Sequence, residues 1–223
     1  MILSELAGSL LDWLSRPTTS PETARTVPAW LPGLSGSEPL RWWAASSYDG
    51  AARSQLLRLR DQPDPPTLEP WLDALIPLLR TSIPELPQPA VVPVPSWKRK
   101  SNPLPALLAD ALSERLGWEQ RPELLRRSRP VLGQHHLGRE MRIANQQGAF
   151  LACSAPRGQL APRQPLLLVD DILTTGATAG AAAAAMSDAG WRVAGLICLA
   201  RTPAGRRQRR DLGSKGRHRD RPG

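Results

Sequence analysis

Leu166-Leu167-Leu168-Val169-Asp170-Asp171-Ile172-Leu173-Thr174-Thr175-Gly176-Ala177-Thr178 reads as a buried strand, a hydroxyl-rich turn and the opening of a helix. The fully apolar run Leu166 to Val169 is the pattern of a strand covered on both faces. Two adjacent carboxylates follow it, and an alanine-rich helix is predicted from Thr178 to Ala189. At the carboxyl end of a parallel strand, such a turn gathers backbone N–H groups and a helix N-terminus around one concavity. That concavity suits a phosphate monoester. Thr174, Thr175 and Thr178 add hydroxyl donors, and Gly176 and Ala177 keep the turn small enough for close approach.

Phosphate alone does not explain Asp170 and Asp171, because like charges repel. The pair makes sense if the ligand also presents a sugar diol, whose hydroxyls donate to carboxylates, with a hydrated Mg²⁺ nearby. A ribose 5-phosphate bearing a metal-bound pyrophosphate, phosphoribosyl pyrophosphate (PRPP), meets all three demands. The alternative is an ordinary strand–turn–helix corner in which the aspartates only cap.

Upstream, the β-branched run Ala90-Val91-Val92-Pro93-Val94 predicts a strand. Asn102-Pro103 predicts a helix start, with one apolar face through Leu104, Leu108, Leu112 and Leu116 and a stop at Gly117. Tyr48-Asp49-Gly50 predicts a turn feeding a helix that carries Leu56, Leu57 and Arg60, and a second helix is expected over Leu68 to Leu79. Downstream, Arg192 to Leu199 is a further strand. Residues Arg121 to Arg142 suggest a strand, a mobile loop and a short helix. Strands alternating with helices argue for an α/β fold with a parallel sheet.

At 223 residues the chain can bury a full core. Its 24 prolines are roughly double the usual share of about 5%, and the stretches Pro17 to Pro39 and Pro63 to Pro95 read as irregular connections. A first helix, capped by Ser4 and carrying Leu6, Leu10, Leu11 and Leu14, precedes them. That N-terminal stretch has Glu5 and Asp12 and no basic leader, so it reads as a poor signal peptide. With no apolar run near the ~20 residues that span a bilayer, a cytoplasmic protein without membrane insertion is expected. Cys153 and Cys198 are too few for a disulfide framework or a four-thiolate zinc site, and read as small buried side chains. The net charge is +9, of which residues 205–223 hold +6 through eight Lys or Arg and two Asp.

The run Val169 to Thr178 resembles the PRPP-binding signature of type I phosphoribosyltransferases. Tyr48-Asp49-Gly50, Val92-Pro93-Val94-Pro95, Asn102, Gln134, Leu137, Arg142, Asn145, Ala149-Phe150 and Leu199 to Pro203 extend the likeness. In order and spacing they resemble the ComF family of competence-protein-F-like phosphoribosyltransferases. The likeness runs from about Tyr48 to Pro203, roughly seven-tenths of the chain. It implies a type I phosphoribosyltransferase-like parallel-sheet fold with a hood or lid segment. It implies Asp170 and Asp171 on the ribose hydroxyls and Thr174, Thr175, Gly176, Ala177 and Thr178 around the 5-phosphate. Ser96, Lys98, Arg99 and Lys100 would face the pyrophosphate, or else form a solvated basic turn. Gln134, Arg139, Arg142 and Asn145 would belong to a lid, the alternative being a plain surface helix.

This chain departs from the family pattern in three places. Members usually begin with a four-cysteine zinc ribbon, but residues 1–47 contain no cysteine, so zinc is not expected and Trp30, Trp42 and Trp43 are offered as metal-free packing. Arg60 stands where lysine is common, and Ser101-Asn102-Pro103 keeps only the asparagine of a longer motif. The implied organisation is an N-terminal segment 1–47, a phosphoribosyltransferase-like domain 48–204 and a basic, disordered tail 205–223. His135-His136 reads as a solvated pair rather than a metal site.

The family's association is with natural transformation, which makes single-stranded DNA and other competence proteins the expected partners. Arg206, Arg207, Arg209 and Arg210 would attract a phosphate backbone, or merely keep the tail soluble. Three roles stay open: DNA handling, a PRPP sensor without turnover, and transfer to an amine or nucleobase acceptor.

Overall fold

The two faces of one strand set the layers of this molecule. In the computed structural model, which describes residues 27–83, 88–96, 102–128, 148–156 and 164–203, Leu166 to Val169 lie in the strand β7 (Leu166–Leu173). Successive side chains of a strand point to opposite faces. Leu167 and Val169 pack with leucines of three helices: α1 (Gly50–Asp61), α2 (Pro65–Ser82) and α3 (Leu104–Leu116). Leu166 and Leu168 pack with Ala179, Ala182 and Met186 of α4 (Ala177–Asp188) and with Phe150. Helices therefore cover both faces, as an uninterrupted apolar strand requires.

The other strands are β1 (Leu34–Gly36), β2 (Trp42–Ser47), β3 (Ala90–Pro93), β4 (Glu119–Gln120), β5 (Leu125–Arg127), β6 (Phe150–Ala152) and β8 (Val193–Arg201). Five of them join β7 in one six-stranded sheet, in the order β1-β2-β8-β7-β3-β4. All its pairings are parallel except the antiparallel edge pair β1–β2. The fold is thus α/β with a mixed, mostly parallel sheet. Strands β5 and β6 pair antiparallel as a separate ribbon, and Leu125 and Phe150 carry it onto the α4 face.

Most predicted elements are present, with shifted ends. Gly117 closes α3 in the left-handed conformation at φ 67°. Pro65 and Pro66, in a stretch that reads as an irregular connection ahead of the helix expected from Leu68, are instead the first turn of α2, where proline's missing N–H has no partner to lose. Strand β7 runs four residues past Val169, because β8 continues to pair with it as far as Arg201. Strand β2 is the main surprise, since the region around it reads as irregular. Trp43, Ala44, Ala45 and Ser46 are all buried, so no alternation marks the strand. It pairs with β8, so residues 42–47 belong to the same sheet as the segment that follows the expected boundary at 47. Trp30 meets Trp71 of α2 edge-on at 5.1 Å, and Trp43 is 1% exposed, so both tryptophans do pack against the core. The helix expected from Ser4 lies outside the described residues.

Close approach of β1–β2 to β8 depends on Gly195. A Cβ there would sit 2.7 Å from the Arg41 carbonyl oxygen and 2.7 Å from the Trp43 ring. Overpacking a buried site of this kind costs about 1–3 kcal/mol. Gly195→Ala is therefore expected to lower the unfolding free energy by that amount, seen as a lower urea midpoint with an unchanged slope.

Candidate functional site

Chain direction places the candidate site. From β3 the chain crosses through α3 to β4 on one side, and from β7 it crosses through α4 to β8 on the other. Strands β3 and β7 are neighbours, so their carboxyl ends flank the point where the winding reverses, the usual crevice of an open α/β sheet. The β3 pairing stops at Pro93↔Val169, with one more bond from the Val94 N–H to the Val169 carbonyl at 2.8 Å. Asp170 and Asp171 come next, where β7 still has β8 on one side but has lost its β3 ladder on the other.

Both acids lie within the strand, where successive side chains diverge, yet their carboxyl groups stay close enough to interact. Asp171 turns toward the α1–α3 face and is 4% exposed. Its Oδ2 accepts from Arg60 Nε at 2.6 Å and from Asn102 Nδ2 at 2.5 Å, with Arg60 Nη2 also at 2.5 Å. Asn102 in turn accepts the Leu104 N–H on its Oδ1 at 3.2 Å, so one side chain caps α3 and grips the sheet. Asp171 Oδ2 is thereby engaged by protein donors from two other elements. Arg60, a residue singled out only as a departure from a pattern, is the main partner.

Asp170 is half-buried on the other face, with its Oδ1 accepting the Asp171 N–H at 2.9 Å. Burial first, and then the charge of Asp171, pushes its carboxyl well above the usual carboxylate range. Arg127, at the end of β5, shares that neighbourhood. Its guanidinium lies over the Phe150 ring at 4.0 Å, and its Nε donates to the Pro95 carbonyl at 2.9 Å. Burial lowers the Arg127 pKa, while the Asp170 charge raises it. Sequence reading missed Arg127, one of several arginines in a basic stretch. The only signal was its position two residues past the short apolar pair Leu124-Leu125.

The turn after β7 is held from two sides. Arg201, at the end of β8, donates from Nη1 to the carbonyls of Leu173 (3.1 Å), Thr174 and Thr202 (3.2 Å), and lies 5.6 Å from the Trp42 ring centroid. Gly176 has φ 80°, and a Cβ there would overlap the Pro39 ring, with Cδ at 2.8 Å. The Pro39 ring thus needs a glycine here, a packing reason beside the one read from the sequence. Ala177 N–H donates weakly to Thr175 Oγ1 at 3.4 Å, and no side chain caps α4. Beyond that weak bond, its first-turn N–H groups have no side-chain cap among the described residues, at the end where the helix dipole is positive. Thr174, Thr175, Ala177 and Thr178 are half-buried around them.

Ser96 lies three residues beyond β3 on the same edge, whereas Lys98, Arg99 and Lys100 lie outside the described residues, as do Gln134, Arg139, Arg142, Asn145, His135, His136 and the arginines 206, 207, 209 and 210. The structure thus brings together Asp170, the threonine turn and the β3 terminus, and adds Arg127 and Arg201. Cys198 is buried as expected, but Cys153, at the end of the edge ribbon, is exposed. Among the described residues no helix is long and apolar enough to cross a membrane. No protein-family model matches the chain, and no curated protein matches it.

Two substitutions separate the two acids. Asp171→Ala strips Arg60 and Asn102 of their acceptor, and hydrogen bonds to charged groups contribute roughly 1.5–3 kcal/mol each. A loss of about that size is expected in chemical unfolding. Asp170 behaves oppositely. Its folded pKa is raised, so the stability linked to it is fully present below the unfolded pKa and lost as pH rises through the folded one. Asp170→Asn is expected to be more stable than wild type by a margin that grows with pH, read as melting temperature from pH 4 to 8.

Proposed function

We propose that this chain binds PRPP at the carboxyl edge of β3 and β7, as a phosphoribosyltransferase-like protein of the ComF type with a type I phosphoribosyltransferase-like core. The observation that carries the reading is a half-buried, uncomfortably placed carboxylate, Asp170, at the crevice beside the uncapped α4 N-terminus. Each half of the ligand relieves one defect. The 5-phosphate would accept from the first-turn N–H groups and the hydroxyls of Thr174, Thr175 and Thr178. A ribose hydroxyl would donate to Asp170, while Asp171 holds the strand, Arg60 and Asn102 in register. The residue order from Tyr48 to Pro203 supports the same ligand.

Mg²⁺ fits this donor set as a passenger of the pyrophosphate. The acids and hydroxyls present are hard oxygen donors, and a hard cation beside Asp170 would favour its ionised form. When bound, it would help carry the charge of a departing pyrophosphate. Arg127 and the residues after Ser96 would add positive potential on that side. In this reading the cellular role is cytoplasmic handling of incoming single-stranded DNA, with PRPP either transferred to a nitrogen nucleophile or simply sensed.

Calorimetric titration with Mg²⁺ and PRPP tests the ligand directly. Wild type is expected to bind, and Asp170→Asn to bind about 10–100-fold more weakly, as the loss of one charge-assisted hydrogen bond implies. Absence of any PRPP binding by wild type would sink the reading. Incubation of radiolabelled PRPP with cell extract then divides enzyme from sensor, since only an enzyme gives a labelled product that Asp170→Asn fails to make.

A further inference from the structure

A second concavity lies away from the PRPP edge, among the outer surfaces of α1, α2 and α3. It has a volume of about 300 Å³, with Leu68, Leu104 and Leu107 in its floor. Asp64, Glu69, Asp110, Glu114 and Arg115 also line it. Arg115 Nη2 meets Glu69 Oε2 at 2.5 Å, which neutralises one acid and leaves the groove with a net negative rim. Asp64, Asp110 and Glu114 are exposed, so this charge faces whatever enters. An occupant must therefore be cationic and carry at least one apolar side chain.

Of the segments outside the described residues, 205–223 has that chemistry with the largest net positive charge. Residues 205–223 hold eight Lys or Arg against two Asp, and Leu212 is their single large apolar residue, flanked by Arg209, Arg210, Lys215 and Arg217. The N-terminal residues 1–26 have the wrong sign, with Glu5, Asp12 and Glu22 against Arg16 and Arg25. Reach is also sufficient. Pro203 follows the carboxyl end of β8, and α3 starts from the carboxyl end of β3 on the same edge of the sheet. Two strand spacings of about 4.8 Å separate β8 from β3. The nine residues from Pro203 to Leu212 extend to about 30 Å.

We propose that the basic segment 205–223 docks in this groove in cis, with Leu212 on the leucine floor and its arginines against Asp64, Asp110 and Glu114. The docked segment is withheld from other polyanions, so groove and nucleic acid compete for it. This inference stands independently of PRPP binding.

Trypsin cleaves after the arginines of the segment, and its rate follows the population of the undocked form when docking is fast. Full-length wild type, Asp110→Asn/Glu114→Gln and Leu212→Ser are digested at low salt, and release of fragments from 204–223 is followed by mass spectrometry. The expected result is release from wild type at least about threefold slower than from both variants. Leu212→Ser leaves the groove untouched, so its outcome does not depend on how well α3 tolerates substitution. Equal rates in all three proteins overturn the proposal. Equal rates together with slowing only by an added thymidine 20-mer also overturn it, and identify the segment as a nucleic-acid arm.

Discussion

A carboxylate buried at position 171 must be compensated, and the way this chain does it fixes the geometry of the whole carboxyl edge. Three elements distant in sequence supply the parts: β7 the acid, α1 the guanidinium of Arg60 and the entry to α3 the amide of Asn102. Separations of 111 and 69 residues make these long-range ties, so they form only when the sheet and both helices are in place. Removal of one partner leaves the others desolvated, so the cluster acts as a unit rather than as a sum of contacts. Its position explains why α3 begins where it does and why the C-terminal turn of α1 lies against the sheet edge.

From that anchor the neighbouring acid acquires its character. Strand geometry turns Asp170 away from the donors on Asp171 Oδ2, yet it still feels the charge of Asp171 and, more weakly, that of Arg60. Arg127 is drawn toward it but is also engaged with the Pro95 carbonyl and stacked on Phe150. The turn beyond is held by Arg201 from one strand and by Pro39 from another segment. A phosphate reaching this edge would meet N–H groups already fixed in direction, which reduces the ordering that binding would otherwise require.

Much of this was legible in the sequence, and the limits are physical. The apolar run of β7, the Asn102 cap and the Gly117 stop are local signals, and each marks its element to within a few residues. The extension of β7 to Leu173 is set by β8, a partner that no local pattern names. Strand β2 escaped because burial on both faces removes alternation, and small Ala and Ser residues carry little strand propensity. The diverging acids could have been foreseen from the two-residue period of a strand, had the strand been carried far enough. Arg60 and Arg201 were visible in the sequence, but their bonds join residues far apart in the chain or on neighbouring strands. Arg127 was hidden among other arginines.

The two acids also divide stability from function. Asp171 is satisfied by the fold and contributes to it, whereas Asp170 is kept at an expense to the folded state that rises with pH. Among its described neighbours Arg127 and Arg60 favour the charge of Asp170, but burial and the charge of Asp171 oppose it more strongly. Strained or desolvated groups of this kind collect at ligand sites because binding restores what folding withheld. Any ligand that does so stabilises the protein by mass action, so its occupancy is readable as stability even where no reaction is known.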